Sequence, residues 1–444
     1  MDVELCCVGG YNEVGKNMTA LRVGDEVIIL DMGFFLPKLI SFEEGDIPRK
    51  DLGAKELMKA GAIPDDTVLE SWRDKVKAIV FSHCHLDHVG AALYLSNKYN
   101  APLIGTRFTL EVLNTMAQDE GIILRNELRV LNSNSVYEVS KNIKIEFINM
   151  THSTLQTVMI AVHTPKGVIL YANDFKFDNH PVIGKKPNYD ALKSLQGDVL
   201  ALIVDSLYAP GEWKTPSEKV AREMLKDIML GTSNEGHAII TTTFASHLAR
   251  LKSIIDFSRA LDRKVVFLGR SLAKYTFAAE RAEILNYSKK VEILSYKRQM
   301  EKRLKKIEKD RDKYVIVCTG NQGEPRSVLV RMASGQLPFK FLPEDHVIFS
   351  CKTIPVESNL NNRALLESKL KHKKARIFTD IHSSGHPGRE DLRDLVDMVK
   401  PKHIFPVHGN AAQDKAMADL AVELGYKKDK NVHLMNDGGH IILR

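Results

Sequence analysis

Short apolar runs broken by glycine open the chain. Residues 4–8, 18–23 and 27–30 are β-prone and are split by Gly9-Gly10 and Gly24-Asp25, which predicts three strands of one meandering sheet. Residues 34–75 lack a sustained period, are mixed in charge and carry Pro37, Pro48 and Pro64; they predict an elaboration over the sheet rather than a core element. The apolar run 78–81 predicts a buried strand, and 89–95 the start of a helix. Strands and helices then alternate through 102–105, 107–118 and 143–149, and 157–163 with 167–171 predicts a hairpin. From about residue 206 the texture changes. Buried-type runs at 237–244, 265–268, 314–318 and 347–351 are separated by helical patterns such as 217–230 and 248–260, the βαβ signature of a parallel sheet in a second domain.

Composition narrows this picture little. A chain of 444 residues with 44% hydrophobic content has room for two to three domains with sizeable cores. No apolar run approaches the roughly 18 residues of a membrane span, and the N-terminus lacks a basic-then-apolar leader, which predicts a cytoplasmic protein. Five scattered cysteines with no C-x-x-C predict reduced thiols and exclude a zinc ribbon. The net charge is +7, much of it local: residues 297–313 hold nine basic and four acidic side chains. Met300, Leu304 and Ile307 fall there at helical spacing, so the segment predicts a solvated amphipathic helix ahead of a nucleic-acid contact.

The candidate chemistry sits immediately after the run 78–81, in Ser82-His83-Cys84-His85-Leu86-Asp87-His88. Alternation sends His83 and His85 to one side of an extended segment, and the following turn brings Asp87 and His88 to a second position, so the spacing predicts two metal seats. Imidazoles with a carboxylate suit Zn²⁺ best, with Mn²⁺ or Fe as competitors. Asp31, at a strand end before Gly33, is expected to brace the histidine loop rather than bind metal. His152 and Asp174 also follow predicted strands, and an incomplete zinc shell needs further imidazole and a bridging carboxylate. The loop 10–17 reads equally as a plain hairpin turn or a substrate-facing loop. In the second domain the turns 245–250, 269–271 and 319–325 expose backbone N–H groups that can cradle phosphates, each a weak signal alone. Two histidine-bearing loops, 380–387 and 404–410, close the chain; they either return to the first domain or build a separate site, the first being more economical.

The series His83-Cys84-His85-Leu86-Asp87-His88, His152, Asp174 and His408 resembles the full ligand series of the metallo-β-lactamase fold. Phe244-Ala245-Ser246, Gly269-Arg270-Ser271, residues 319–325, His382-Ser383-Ser384-Gly385-His386 and Pro406-Val407-His408-Gly409 resemble the β-CASP nuclease branch, most closely the archaeal ribonuclease J group. The resemblance covers essentially the whole chain. It implies an α/β fold: a metallo-β-lactamase αβ/βα sandwich (1–207 and 379–444) interrupted by a β-CASP domain (208–378) with a mainly parallel sheet. It implies two Zn²⁺ per chain, Mn²⁺ being an alternative: His83, His85 and His152 on one, Asp87, His88 and His408 on the other, and Asp174 bridging. Asp87, His386 and Asp205 would be the catalytic residues, Asp205 hydrogen-bonding a ligand histidine and His386 steadying charge or protonating the leaving oxygen. His382, Ser383, Ser384, Gly385 and His386, with Ser246, Arg270, Gly320 and Gln322, would contact phosphate or RNA. Three positions depart from the pattern: Cys84, where small residues are common, Asn410, where an acid is frequent, and His247, where asparagine is usual. Bacterial relatives carry a further C-terminal domain, absent from this sequence, which ends at Arg444.

The implied activity is hydrolysis of single-stranded RNA, 5′→3′ from 5′-monophosphate ends, in RNA processing and decay. A strand entering between the domains would be held by backbone contacts and stacking, with strong salt dependence. The expected partners are RNA, a second copy of the chain and an RNA-processing complex. The alternatives are a β-CASP endoribonuclease, a small-molecule metallohydrolase, for which the second domain would have no purpose, and a non-catalytic scaffold, which would be expected to have lost ligands.

Overall fold

The computed structural model describes residues 1–44 and 52–443, so Pro48 lies outside the described residues. The chain forms two compact units: residues 1–179, 184–215 and 384–444 make the first, and 180–183 with 216–383 the second. The borders fall at 215/216 and 383/384, some residues beyond the expected 207/208 and 378/379. Residues 208–215 stay with the first unit because Tyr208 bridges Gly388 and the Thr215 amide donates to Asp391 Oδ2 at 2.7 Å. Residues 381–383 stay with the second because Arg250 Nη1 donates to the Ile381 carbonyl at 2.9 Å and Ser383 Oγ to that of Pro216 at 2.5 Å.

The first unit is a sandwich of two sheets. One runs, by strand, His440–Leu443, Val3–Gly9, Met18–Val23, Glu26–Leu30, Val76–Val80, Leu103–Gly105 and Leu128–Val130. The expected meander of three strands is present, antiparallel throughout, and the sheet turns parallel from Glu26–Leu30 onward. The other runs His403–Val407, Val199–Asp205, Gly167–Ala172, Val158–Thr164, Lys144–Asn149 and Ser135–Glu138. Apolar residues of both inner faces, among them Leu5, Ile28, Val80, Phe147, Ile160 and Phe405, form a single core. The outer face of the second sheet packs Leu170, Leu202 and Ile404 against Leu392, Leu395, Met417 and Leu420 from the helices Arg389–Val399 and Ala411–Glu423.

Residues 34–75 carry more regular structure than expected: the helices Leu36–Glu44 and Ala54–Lys59 and a 3₁₀ segment, Asp66–Lys75, which buries Leu69 and Trp72. Short turns of this kind leave too few periodic apolar positions to stand out in a sequence.

The second unit holds a six-stranded sheet, all parallel, in the order Glu292–Leu294, Lys264–Leu268, Tyr314–Cys318, Ile239–Thr242, His346–Phe349 and Arg376–Phe378. Its four central strands are buried on both faces, which explains their unbroken apolar runs. The helix Leu248–Ala260 spans the expected residues, and Ser217 caps Glu218–Gly231 by accepting from the Lys219 amide. Among the described residues no helix is long and apolar enough to cross a membrane.

Candidate metal centre

Every ligand candidate sits just past the carboxyl end of a strand in the first unit. Val76–Val80 runs into the histidine loop, Lys144–Asn149 leads to His152, Gly167–Ala172 to Asp174, and His403–Val407 to His408. The turn is sharp at three site positions: Asp31, Asp174 and His408 have φ of 58°, 57° and 56°, the left-handed region that, glycine aside, asparagine, aspartate and histidine enter most readily. The expected helix start at 89 is corrected. A helical turn already begins at Leu86, so Asp87 and His88 lie on Leu86–Val89.

The side chains converge as two groups sharing one carboxylate. His83 Nε2 and His152 Nε2 each stand 3.1 Å from His85 Nδ1, and 3.6 and 3.5 Å from Asp174 Oδ2. The other carboxylate oxygen, Asp174 Oδ1, faces His88 Nε2 at 3.3 Å and His408 Nε2 at 3.7 Å, while Asp87 Oδ2 is 3.8 and 3.9 Å from those nitrogens. Tetrahedral ligands at about 2.0–2.1 Å from one ion are about 3.3 Å from each other. The first group therefore has the spacing of ligands to a single ion, and the second is slightly wider.

Hydrogen bonds fix which nitrogens face inward. His88 Nδ1 lies 2.8 Å from Asp31 Oδ2, an acceptor only, so this nitrogen donates and Nε2 keeps its lone pair. Ser82 Oγ donates to the same Asp31 oxygen at 2.7 Å and so accepts from His83 Nδ1 at 3.0 Å. His152 Nδ1 donates to the Gly385 carbonyl at 2.6 Å. Lone pairs of His83, His88 and His152 thus point into the centre, and buried Asp174 Oδ1 makes no hydrogen bond. Such a set of converging acceptors suits a divalent cation. The expected bracing by Asp31 is seen: this fully buried carboxylate also accepts from the Ser82 amide at 2.8 Å and from the Tyr171 hydroxyl.

Electrostatics follow the burial. Burial and neighbouring imidazoles push His83 and His152 well below the usual histidine range, and burial takes His85 down to about 4, which keeps all three in the neutral, metal-ligating form. Burial also acts against the His88 imidazolium, but Asp174, Asp87 and Asp31 outweigh it and hold the group well above its ordinary value, so without a cation Nε2 carries a proton that a bound metal would displace to free the inward lone pair. Asp174, despite its burial, is held well below the carboxylate range by His408, His88 and His386.

His386 joins the centre from its edge. Its Nε2 is 3.8 Å from Asp174 Oδ2, its ring stacks on His408 at 5.4 Å, and Nδ1 lies 2.7 Å from Asp205 Oδ2. Asp205 was expected to bond a ligand histidine; its partner is His386. Burial lowers the proton affinity of His386, and Asp174 and Asp205 reverse this, raising it to about 9.

The expected phosphate contacts divide. Ser384 Oγ accepts from the His386 amide at 3.0 Å. Gly385 approaches His152 so closely that a Cβ would stand 2.8 Å from the ring, and its carbonyl orients that ligand. Ser383 is 2% exposed and donates to Pro216, so its hydroxyl secures the loop. In the second unit Ser246, Arg270, Gly320, Gln322 and His382 all follow carboxyl ends of the parallel strands, with Arg270 exposed at the start of Arg270–Arg281. The Gln322 amide is occupied, accepting from Ile354 N at 2.7 Å and donating to Lys352 O at 3.1 Å. Burial takes His382 down to about 3.

The departures find structural reasons. Cys84 Sγ is buried 3.2 Å from Thr154 Oγ1. Asn410 caps Ala411–Glu423 in a capping box with Gln413. His247, buried, stands 3.3 Å from Glu218 Oε2, which also receives the fully buried Arg250.

Asn17 was not singled out by its chemistry, yet its Nδ2 lies 3.0 Å from the Asp87 carbonyl and 2.9 Å from His408 Nδ1. Its Oδ1 accepts from Asn173, whose amide also donates to Tyr171. The loop 10–17 therefore faces the site and is no plain hairpin turn. The run of polar residues ending in Lys16-Asn17 ahead of a strand was the only signal for it.

Comparison with known proteins adds the following. Residues 11–207 match the family described as the metallo-beta-lactamase superfamily, 236–366 that described as ribonuclease J, beta-CASP domain, and 372–435 that described as Zn-dependent metallo-hydrolase RNA specificity domain. Ribonuclease J of Methanocaldococcus jannaschii is 42% identical over 99% of this chain and 98% of its own, and that of Pyrococcus abyssi 39% over 99% and 97%. Ribonuclease J 1 of Streptococcus pyogenes is 31% identical across this chain and 74% of its own length. A solved structure of an Enterococcus faecalis protein of unknown function shares the fold over the full length of both chains, with a TM-score of 0.68 at 16% identity.

Proposed function

The chain belongs to the ribonuclease J family of metal-dependent ribonucleases, and from that premise we propose that it degrades single-stranded RNA 5′→3′, preferring 5′-monophosphate ends, with two Zn²⁺ ions at the centre. Mn²⁺ is the proposed substitute. The observation that carries the two-ion reading is Asp174, whose two oxygens face separate groups of ligand atoms. His83, His85 and His152 would hold one ion, Asp87, His88 and His408 the other, with Asp174 shared. When bound, such ions supply an activated water and neutralise charge on the phosphoryl oxygens.

The remaining roles belong to the chain's own groups. His386, kept protonated by Asp205 and Asp174, presents Nε2–H beside the ligand cluster, where it can steady charge on the scissile phosphate or protonate the departing oxygen. Asp205 acts through His386 and is a positioning residue. Asp31 holds the His88 imidazole in the tautomer that coordination requires, and the Asn17 side-chain amide packs against His408 Nδ1. Ser384 is the proposed phosphate contact beside the metal centre; His382, Ser246, Arg270 and the turn at Gly320 are the proposed RNA contacts of the second unit, and Ser383, Gly385 and Gln322 support their loops. The proposal extends to a homodimer acting with other RNA-processing factors; a monomer mass in light scattering removes that part.

The test is digestion of one RNA labelled at its 5′ end and bearing a monophosphate, triphosphate or hydroxyl. Labelled mononucleotide released fastest from the monophosphate is expected. Internal fragments as first products would overturn the exonuclease in favour of an endoribonuclease.

A further inference from the structure

The helix Lys297–Ile307 and the 3₁₀ segment Glu308–Lys313 concentrate the charge of the chain. Residues 289–313 carry eleven basic and five acidic side chains, an excess of six where the whole chain has seven. Met300, Leu304 and Ile307 are buried in the core of the second unit, which turns the opposite face outward. Two of the cations do structural work: Arg303 pairs with Glu292 and lies over Tyr314, and Arg311 pairs with buried Asp345. By contrast Arg298, Lys302, Lys305, Lys306 and Lys309 are exposed and make no ion pair among the described residues. Tyr296, beside them at the start of the helix, is 69% exposed. The segment follows Glu292–Leu294, an edge strand of the sheet.

A solvated helix in a stable domain balances its outward charges, since like charges one turn apart repel by a few tenths of a kcal/mol each. Here Lys302, Lys305, Lys306 and Lys309 recur at spacings of three and four, while the acids among them are engaged elsewhere: Glu301 with Lys297, Glu308 with the Lys340 amide and Asp310 with Lys313. Cations at this spacing beside an exposed aromatic ring fit a phosphodiester backbone with a base stacked on the ring. We propose that this face is a separate anchoring surface for single-stranded RNA, holding substrate through phosphates without reading its sequence. The inference rests on the ribonuclease reading and adds a contact that the catalytic residues do not supply.

The test compares wild type with Lys302→Glu/Lys305→Glu/Lys306→Glu and with the milder glutamine triple variant. Binding to a labelled single-stranded 40-mer is followed by anisotropy over a range of salt, with divalent ions chelated to keep the RNA intact. Each phosphate contact contributes about 0.7 to the slope of log K against log salt, so losing three lowers it by about 2. Weaker binding with that smaller slope, graded from glutamine to glutamate, is expected, as is weaker binding by Tyr296→Ala with its slope kept. Hydrolysis of a 5′-phosphorylated dinucleotide should stay within about twofold of wild type, because the catalytic groups are untouched. Unchanged affinity and slope overturn the anchor, and so does an equal loss on the dinucleotide. A wild-type protein that neither binds nor cuts RNA overturns the ribonuclease reading instead, so the two failures are distinguishable.

Discussion

Asp31→Asn is the most informative single change at the centre. Asparagine keeps the shape and tolerates φ near 58°, whereas alanine would add backbone strain to the lost contacts. Asp31 Oδ2 accepts from both His88 Nδ1 and Ser82 Oγ, and Oδ1 from the Ser82 amide. An amide offers one acceptor and one donor, so one of these faces is left donor against donor. With nitrogen at the Oδ2 position, His88 must shift its proton to Nε2, which removes the lone pair aimed at the centre. Ser82 must also turn its hydroxyl away, releasing His83. With nitrogen at the Oδ1 position the Ser82 amide is opposed instead, so either orientation disturbs the loop that carries His83, and the first disturbs His88 as well. Loss of such an orienting partner costs about 10–100-fold in metal affinity, or about 1.4–2.8 kcal/mol. Because the chain has two units, one melting midpoint is not a single equilibrium, and affinity is the better measure. Competition against a chromophoric zinc chelator should find both metal equivalents weakened. Wild-type affinity at both would refute the tautomer argument.

Other perturbations give equally definite outcomes. Gly33→Ala would place a Cβ 1.6 Å from the Asp87 carbonyl oxygen, so it should displace the Leu86–Val89 turn and abolish both metal binding and RNA hydrolysis; a variant that loads metal normally contradicts this packing. In the metal-free protein the His386 ring should titrate near 9 by NMR, and Asp205→Asn, which removes a raising carboxylate, should move it down. The folded value lies above the unfolded value of about 6.5, so this group's stabilisation is complete below 6.5 and is lost as pH rises through 9. Arg250→Met leaves Glu218 buried without its bidentate partner and should destabilise the second unit by about 3–5 kcal/mol in denaturant melts; an unchanged transition would show the pair to be dispensable. Asp174→Ala removes the shared ligand and should leave less than about 1% of activity on single-stranded RNA, with full activity sinking the two-ion reading.

Much of the molecule could be read in advance where the signal was contiguous. The cluster at 83–88 puts four candidate ligands within six positions, and Met300, Leu304 and Ile307 marked their helix by spacing alone. His152, Asp174 and His408 could be placed because each ends an apolar strand. The orienting contacts were less accessible. Asn17, Ser82, Tyr171 and Asn173 reach their partners across long separations, as with Asn17 and His408, and a hydrogen bond of that kind leaves no periodic trace in either segment. The short strands Leu128–Val130 and Ser135–Glu138 were missed for a different reason: each stands at a sheet edge with half or more of its side chains exposed, so no apolar run announces them.

The strand His440–Leu443 pairs with Val3–Gly9, and His408 completes a site begun at Asp31. From Asp174 to His408 the ribosome must add 234 residues, which at ordinary rates of synthesis takes about 12–47 s. Throughout that interval the emerging chain holds the first group of ligands but only two residues of the second. A ribonuclease built in this order is expected to be inert while still tethered to the message that encodes it, and chains truncated before residue 408 should take up less metal and cut no RNA.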